Sequence, residues 1–181
     1  IIRHSNSKYA SPVILVRKKD GGWRLCVDYR KLNALTVFKP HPIPNIEEIV
    51  DQLGSARIFS SLDMEAGYNQ VLIREKDRFK TAFITRDALL EFNRLPFGLV
   101  NAPFTFQKIM NQVFRETLYK YTMVYLDDIL IYSENEETHM KHLDHVLSLC
   151  KQFNIKLNLE KCHFFEKKIE FLGFELEKGG N

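Results

Sequence analysis

The sequence predicts an α+β fold in which helices cover a mainly antiparallel sheet. Short runs rich in β-branched and aromatic residues alternate along the 181 residues with segments of helical periodicity. Two of the β-rich runs, residues 121–126 and 129–132, are separated by only Asp127 and Asp128, which favours a tight antiparallel hairpin. The sequence contains no internal repeat and no flexible linker, so we expect one globular domain or two closely packed subdomains.

The first predicted elements are a hairpin, an extended segment and a helix. Apolar runs at residues 13–16 and 25–27 flank a Lys-Asp-Gly-Gly turn signal, which places basic side chains at the hairpin tip. Prolines between residues 40 and 44 exclude a helix interior and predict extended backbone there. A helix is then predicted from Asn45, a candidate N-cap, to Gly54, a candidate C-terminal stop.

Two further helices and several strands are predicted in the rest of the chain. Apolar residues at helical spacing predict one helix from Pro103 to Phe114 and another over residues 136–153. Each helix presents one apolar face and therefore needs an apolar partner, which a sheet can supply. The remaining candidate strands are residues 58–62, 71–73, 81–85, 155–159 and 169–176.

Composition indicates a soluble domain without disulfides. Hydrophobic residues make up 45% of the chain and the formal net charge is +3, which is too small to establish nucleic-acid binding by itself. Cys26, Cys150 and Cys162 form no CxxC pair, which favours a reducing compartment. The sequence shows no apolar run near the ~20 residues of a membrane-spanning helix. Because it starts at Ile1 without Met, we expect an excerpt of a longer chain.

Three aspartates are the candidate site residues. Asp127 and Asp128 stand where a tight turn usually has Asn-Gly or Asp-Gly, and adjacent carboxylates repel unless a cation lies between them. Asp is also an ordinary turn residue, so the pair alone fits either role. Asp63 directly follows the predicted strand 58–62 and alone is better explained as the start of a turn. If the strands are neighbours, the three carboxylates converge and suit Mg²⁺.

Three histidines on the last predicted helix also suggest a metal site. His139, His142 and His145 recur every three residues. Steps of three drift around a helix, and no set of cysteines or carboxylates completes a tetrahedral zinc site. We therefore assign no metal to these histidines.

Five short motifs follow one another along the chain: YASP at 9–12, VDYRKLN at 27–33, LPFGLVNAP at 95–103, YLDD at 125–128 and FLG at 171–173. Together they resemble the reverse transcriptases of gypsy-like long-terminal-repeat retrotransposons. The resemblance implies an RNA-directed DNA polymerase within a polyprotein, with the fingers and palm of a polymerase right hand. The fingers would be residues 1–57 and 77–103. The palm would be residues 58–76 and 104–181, with a mainly antiparallel sheet backed by helices and a primer-grip hairpin at its end.

The resemblance also implies a two-metal site for phosphoryl transfer. Asp63 and Asp127 would bridge two Mg²⁺ ions, for which Mn²⁺ could substitute. Asp128 would serve mainly the ion that acts on the primer 3′-hydroxyl. Lys161 would assist the departure of pyrophosphate, although an ordinary surface lysine is the alternative.

A nucleotide-binding set is implied by the same resemblance. Lys18 would reach the terminal phosphates and Arg24 would bond nearer the scissile phosphate. Tyr68 would lie beneath the incoming sugar and exclude a ribose 2′-hydroxyl, the alternative being a core tyrosine. Gln107 would support the same pocket or the template strand, and an exposed helical position fits equally well. The remaining members of the set are Phe97 and Gly98, which would line the nucleotide pocket. A separate primer grip would consist of Phe171, Leu172 and Gly173.

The implied partners are an RNA or DNA template, a primer strand and deoxynucleoside triphosphates. Thumb, connection and ribonuclease H regions of the polyprotein would act with this chain, no membrane is expected, and the expected location is the cytoplasm, including virus-like particles. Ala88 and Leu90 depart from the family pattern, so the resemblance does not specify the pocket shape near that loop. Phe104 also departs from it, and we expect different packing where the helix begins. Two alternatives remain open: an inactive retroelement-derived remnant that binds RNA or protein, and a template-free nucleotidyltransferase.

Overall fold

The strands and helices of the computed structural model belong to two units, which we describe separately. The structure describes residues 1–17, 21–43 and 53–177. One unit combines Ile1–Pro40 with Tyr68–Phe104, and the other combines His41–Gly67 with Thr105–Asn181. The helix predicted between Asn45 and Gly54 falls mostly outside the described residues.

The elements are numbered in chain order over the described residues. The helices are α1 (Arg30–Leu35), α2 (Glu75–Arg78), α3 (Ala102–Val113) and α4 (Glu136–Gln152), with 3₁₀ turns at Gly67–Gln70, Phe79–Thr81 and Leu159–Lys161. None of these described helices combines the length and the apolar character needed to cross a membrane. The strands are β1 (Ile2–His4), β2 (Val13–Arg17), β3 (Trp23–Val27), β4 (Ile58–Asp63), β5 (Phe83–Ile84), β6 (Leu89–Phe92), β7 (Thr122–Tyr125), β8 (Asp128–Ser133), β9 (His163–Glu166), β10 (Lys168–Phe171) and β11 (Phe174–Glu177).

The first unit contains a hairpin and a small sheet. β2 and β3 pair antiparallel, with Val13 opposite Val27 and Arg17 opposite Trp23, which confirms the predicted hairpin. β1, β6 and β5 form a three-stranded antiparallel sheet in that order. Tyr29 is buried in this unit, and its hydroxyl donates a hydrogen bond to the Thr81 carbonyl oxygen at 2.8 Å. That bond satisfies the one polar group that burying a tyrosine would otherwise leave unpaired.

The second unit is built on a four-stranded antiparallel sheet in the order β7-β8-β4-β9. Side chains alternate between the two faces of β8. Leu130 and Tyr132 belong to a core cluster that includes Ile169 and Phe171 of β10. Ser133, on the opposite face, contacts α4. The sheet is therefore covered on both faces, and the predicted α+β class is confirmed.

Helix α4 confirms the prediction for residues 136–153. The Asn135 side chain caps its first turn by accepting a hydrogen bond from the Thr138 amide, at 2.9 Å. Such a cap typically contributes about 1 kcal/mol to stability. The buried residues recur every three or four positions, as one apolar stripe requires; they are His139, Leu143, Val146, Leu149 and Cys150.

Three predicted strands are wrong in whole or in part. Residues 71–73 make only an isolated bridge, from Leu72 to Arg94. Residues 81–85 reduce to the two residues of β5, because a 3₁₀ turn continues to Thr81. Residues 155–159 likewise contribute only a bridge, from Leu157 to Met64. Short apolar runs of this kind specify burial, and the available pairing partner decides whether a strand forms.

The end of the described chain differs from its prediction. β9, which pairs with the edge of β4, was not predicted. Residues 169–176 were predicted as one strand but form parts of two, β10 and β11, joined at Leu172 and Gly173. Both joining residues have positive φ, 54° and 82°, as a two-residue type I′ turn requires.

Candidate active site

Strands β4 and β8 bring two of the three predicted aspartates opposite each other. Their antiparallel register runs from Ile58 paired with Ser133 to Asp63 paired with Asp128. Directly opposed residues point to the same face of a sheet, with Cβ atoms about 4.5–5.5 Å apart. The condition that the strands be neighbours is therefore met by β4 and β8, and two carboxylates share one end of the sheet.

The hairpin turn lies one residue earlier than predicted. Tyr125 pairs with Asp128, so the two turn residues are Leu126 and Asp127, and the prediction of a turn made of Asp127 and Asp128 is wrong. Leu126 has a φ of 51°, a conformation that residues with a Cβ rarely adopt. Residue preferences pointed to the aspartates because Asp tolerates positive φ better than Leu does. As a result Asp128 belongs to the strand, and Asp127 occupies the turn.

Asp127 is packed closely by its neighbours. Its Oδ1 atom is buried and has no hydrogen-bond partner among the described residues. A Cβ atom added at Gly67 would collide with Oδ1 of Asp127 and would lie 3.2 Å from the ring of Phe106. Burial, followed by the charges of Asp128 and Asp63, raises the pKa of Asp127 to about 6. Gly67 is a site residue that the sequence patterns did not identify.

Lys161 lies beside the aspartates. Its Nζ atom is 3.8 Å from Oδ2 of Asp63, and 66% of its side chain is exposed. Burial and then the Asp63 charge raise the pKa of Asp128, whereas the Lys161 charge lowers it. Exposed ion pairs contribute at most about 1 kcal/mol, so Lys161 offsets only part of the repulsion.

The aspartates suit a hard divalent cation in their chemistry. All three offer carboxylate oxygens, the ligands that Mg²⁺ prefers, and the buried Oδ1 of Asp127 has no hydrogen-bond partner in the part of the chain that the structure describes. In the ranges that the structure describes, no three His, Cys, Asp or Glu side chains are already arranged as a metal-binding group. The donor atoms of the three aspartates nevertheless fit the ion, since carboxylate oxygens are hard ligands.

Gln107 is completely buried, so the alternative of an exposed helical glutamine is wrong. Its side chain bonds to the backbone of Val124 and Leu126 and to Asn111. Contact between Gln107 and a nucleotide stays a prediction. Its side-chain amide already forms hydrogen bonds with three protein groups.

Several predicted nucleotide-binding residues belong to the first unit. Tyr68 is buried, and its ring centroid lies 4.7 Å from that of Phe97, which is exposed. Gly98 has a φ of 94°, which explains the need for glycine there. Arg24 is exposed on β3, opposite Val16. Lys18 lies outside the described residues.

Two asparagines that sequence reasoning did not single out connect separate segments of the first unit. Asn33 donates to the Gly98 carbonyl oxygen at 2.8 Å and accepts from the Val100 amide at 2.9 Å. Asn101 makes a similar pair of bonds to the backbone of residues 37–39. Each side chain thus satisfies one donor and one acceptor of a neighbouring segment. The sequence signal that could have identified them is the asparagine in each of the motifs VDYRKLN and LPFGLVNAP, to which the family resemblance had assigned no function.

The FLG motif forms the tip of the β10–β11 hairpin. Phe171 is buried and pairs with Phe174, while Leu172 and Gly173 form the turn. The positive φ of Gly173 costs a glycine little, and a Cβ there would meet no atom of the described residues within 4 Å. Conformation is therefore the structural reason for glycine at this position.

Comparison with known proteins identifies the family. The family model described as reverse transcriptase (RNA-dependent DNA polymerase) matches residues 16–176, which is most of the chain. The chain belongs to the reverse transcriptase family. The motif resemblance is thereby confirmed, and the family generally depends on divalent metal ions.

Relatives of this reverse transcriptase domain are polyproteins. The retrovirus-related Pol polyproteins of the Drosophila melanogaster transposons opus and gypsy are each 42% identical to it, over 99% of this chain and 18% of their own length. The enzymatic polyprotein of cauliflower mosaic virus (strain Strasbourg) is 39% identical over 99% of this chain and 27% of its length. The chain thus spans less than a third of these relatives.

Solved structures share the fold of the reverse transcriptase domain. The prototype foamy virus protease-reverse transcriptase is 27% identical with a TM-score of 0.88, over 98% of this chain and 24% of that one. A foamy viral protease-reverse transcriptase in complex with dsDNA is 25% identical with a TM-score of 0.90, over 99% of this chain and 37% of that one. The predicted polymerase fold class is confirmed.

Proposed function

We propose that this chain supplies the polymerase site of an RNA-directed DNA polymerase within a retrotransposon polyprotein. The observation that carries the proposal is the β4–β8 register, which sets Asp63 opposite Asp128 and beside the turn residue Asp127 in a reverse transcriptase domain. A scaffold has no physical need for three like charges at one end of a sheet, since they lower its stability. A relative in complex with dsDNA supports a nucleic-acid duplex as ligand.

The proposed cofactor is a pair of Mg²⁺ ions, for which Mn²⁺ could substitute. Asp63 and Asp127 would hold both ions, and Asp128 would hold mainly one. When bound, the ions would supply charge that favours ionisation of the primer 3′-hydroxyl and offsets the charge of the triphosphate. Lys161, beside Asp63, is proposed to reach the leaving pyrophosphate.

The remaining predicted residues have proposed roles in substrate binding. Arg24 and Lys18 would bind the phosphates of a deoxynucleoside triphosphate. Tyr68, held against Phe97, would exclude the ribose 2′-hydroxyl. The hairpin tip at residues 171–173 would bind the primer strand. Assignment of residues 1–57 and 77–103 to the fingers, and of 58–76 and 104–181 to the palm, is part of this proposal.

Primer extension tests the proposal. The assay uses the longest natural chain that contains these residues, with an RNA template, a DNA primer, deoxynucleotides and Mg²⁺. We expect extension by the wild type, and none by a variant that carries both Asp127→Asn and Asp128→Asn, because it has lost two of three carboxylates. Asp87→Asn, at an exposed position, is the matched control.

Two results would contradict the proposal. Extension that survives the double substitution would remove the catalytic role of the two aspartates. Incorporation independent of template sequence would indicate a template-free nucleotidyltransferase instead.

A further inference from the structure

One buried side chain connects helix α3 to the turn that carries Asp127. Oε1 of Gln107 accepts a hydrogen bond from the Leu126 amide at 2.8 Å. Nε2 of Gln107 donates to the Val124 carbonyl oxygen, also at 2.8 Å. A single amide group thus bonds the backbone on both sides of Tyr125.

Asn111, one helical turn after Gln107, is a third partner of this amide. Nε2 of Gln107 also donates to Oδ1 of Asn111, at 2.8 Å. Two acceptors therefore face the NH₂ end of Gln107, and one N–H donor faces its oxygen, so only one orientation of the amide satisfies all three partners. The Nδ2 atom of Asn111 lies 3.4 Å from Nε2 of His41. The orientation follows from the chemistry of the partners.

The turn needs such support because its backbone is strained. Leu126 has a φ of 51°, and a residue with a Cβ keeps that conformation only where its surroundings impose it. On the other side of the turn, the Met64 amide donates to the Asp127 carbonyl oxygen at 3.1 Å. Gln107 on α3 thus bonds to Leu126, and Met64, which follows β4, bonds to Asp127. The two consecutive turn residues are held from two different parts of the unit.

We propose that Gln107 is a positioning residue for the metal-binding carboxylate of Asp127. It acts through the backbone of Val124 and Leu126 and sets the turn from which the Asp127 side chain projects. The catalytic consequence rests on the function proposed above. A glutamine that merely satisfies buried backbone groups would affect stability and leave turnover unchanged.

Hydrogen exchange tests the positioning directly. Gln107→Met keeps the side-chain length and removes both hydrogen-bonding ends, while Gln152→Met makes the same change at an exposed helical position. We expect the Leu126 amide to exchange at least about tenfold faster in Gln107→Met, because its acceptor is gone. The Tyr132 amide, bonded to the Tyr121 carbonyl oxygen at the far end of the hairpin, is the internal reference. An unchanged Leu126 exchange rate would overturn the inference.

Steady-state primer extension tests the catalytic consequence. For Gln107→Met we expect kcat to fall at least about tenfold, because small displacements of reacting groups cost that much or more. KM for deoxynucleotide and for template-primer should stay within about threefold of the wild type, because the hydrogen bonds of the Gln107 side chain are made to protein groups and a positioning role changes kcat. Gln152→Met should match the wild type.

Asn111→Ala provides a second, milder variant in case Gln107→Met does not fold. It removes one of the three hydrogen bonds of the Gln107 amide and keeps the two to the backbone, so we expect a smaller fall in kcat, about threefold, with KM unchanged. A wild-type kcat in the folded variants would overturn the catalytic consequence. If the wild type itself does not extend a primer, the proposed function fails, and exchange at Leu126 still decides whether Gln107 positions the turn.

Discussion

Asp63 and Asp128 are direct cross-strand partners, although like charges in opposed positions destabilise a sheet. Asp127 adds a third carboxylate, and its neighbours contribute to the rise of its pKa. Lys161 offsets little of this repulsion because its side chain is mostly exposed. Repulsion among these carboxylates therefore lowers the stability of this end of the sheet when no cation is bound.

Asp128→Asn should stabilise the chain in the absence of divalent metal. The substitution keeps the shape of the side chain and removes its repulsion from Asp63, which we expect to add about 0.2–1 kcal/mol to the free energy of unfolding. Urea denaturation in chelator measures the change. Asp87→Asn, whose side chain is 88% exposed, should leave the free energy of unfolding within about 0.5 kcal/mol of the wild type. A loss of stability in Asp128→Asn would contradict the repulsion.

Mg²⁺ should stabilise the wild type, and the effect should fade at low pH. An ion that binds only the folded state adds about 2.7 kcal/mol at a hundred times its Kd. Because the pKa of Asp127 is about 6, protons compete with Mg²⁺ increasingly as the pH falls through 6. The measurement is Tm with and without Mg²⁺ at pH 7.5 and 5.5, with NaCl at matched ionic strength as control. Asp127→Asn should lose most of the shift, and an undiminished shift would exclude Asp127 as a ligand.

Gly67→Ala should destabilise the chain through its collision with Asp127. The added Cβ would overlap Oδ1 of Asp127, and overpacking of this kind typically costs about 1–3 kcal/mol. The same substitution in an Asp127→Ala background should cost less, because the opposing carboxylate is gone. Unfolding free energies of the four proteins form a double-mutant cycle. Equal costs in both backgrounds would show that Asp127 is not the obstacle.

His139 should make stability fall as the pH falls from 6.5 towards 4. Its ring nitrogens contact Oγ of Ser60 at 2.7 Å and Oγ of Ser133 at 2.9 Å, and burial followed by His142 lowers its pKa to about 4. In that window the unfolded chain binds a proton that the folded chain does not, so acid favours unfolding, by at most about 3 kcal/mol. The raised pKa of Asp127 acts in the opposite direction between about pH 6 and 4.

Urea denaturation at pH 7 and 5 separates these effects. His139→Gln keeps a donor and an acceptor between the two serines but cannot take up the proton, so its stability should depend less on pH. His4→Gln, at an exposed position, should behave as the wild type does. An equally steep dependence in His139→Gln would assign the acid sensitivity to other groups.

Local patterns predicted the elements whose partners lie close in sequence. The β2–β3 hairpin and helices α3 and α4 have the predicted type and nearly the predicted ends. Predictions failed where the pairing of a short run depends on residues distant in sequence. Residues 71–73 and 155–159 were predicted as strands but form isolated bridges, and β9, which pairs with the edge of β4, was not predicted. Such runs carry too few residues for their periodicity to distinguish a strand from a bridge.

By itself, the sequence determined the family and the three candidate aspartates, because motifs and charges are local and can be recognised without a fold. Only the tertiary structure decided that Asp63 opposes Asp128, that the turn consists of Leu126 and Asp127, and that Gln107 is buried against it. The physical reason is that strand register and buried hydrogen bonds depend on groups brought together by the packing of the whole unit. Neighbouring residues alone do not specify them.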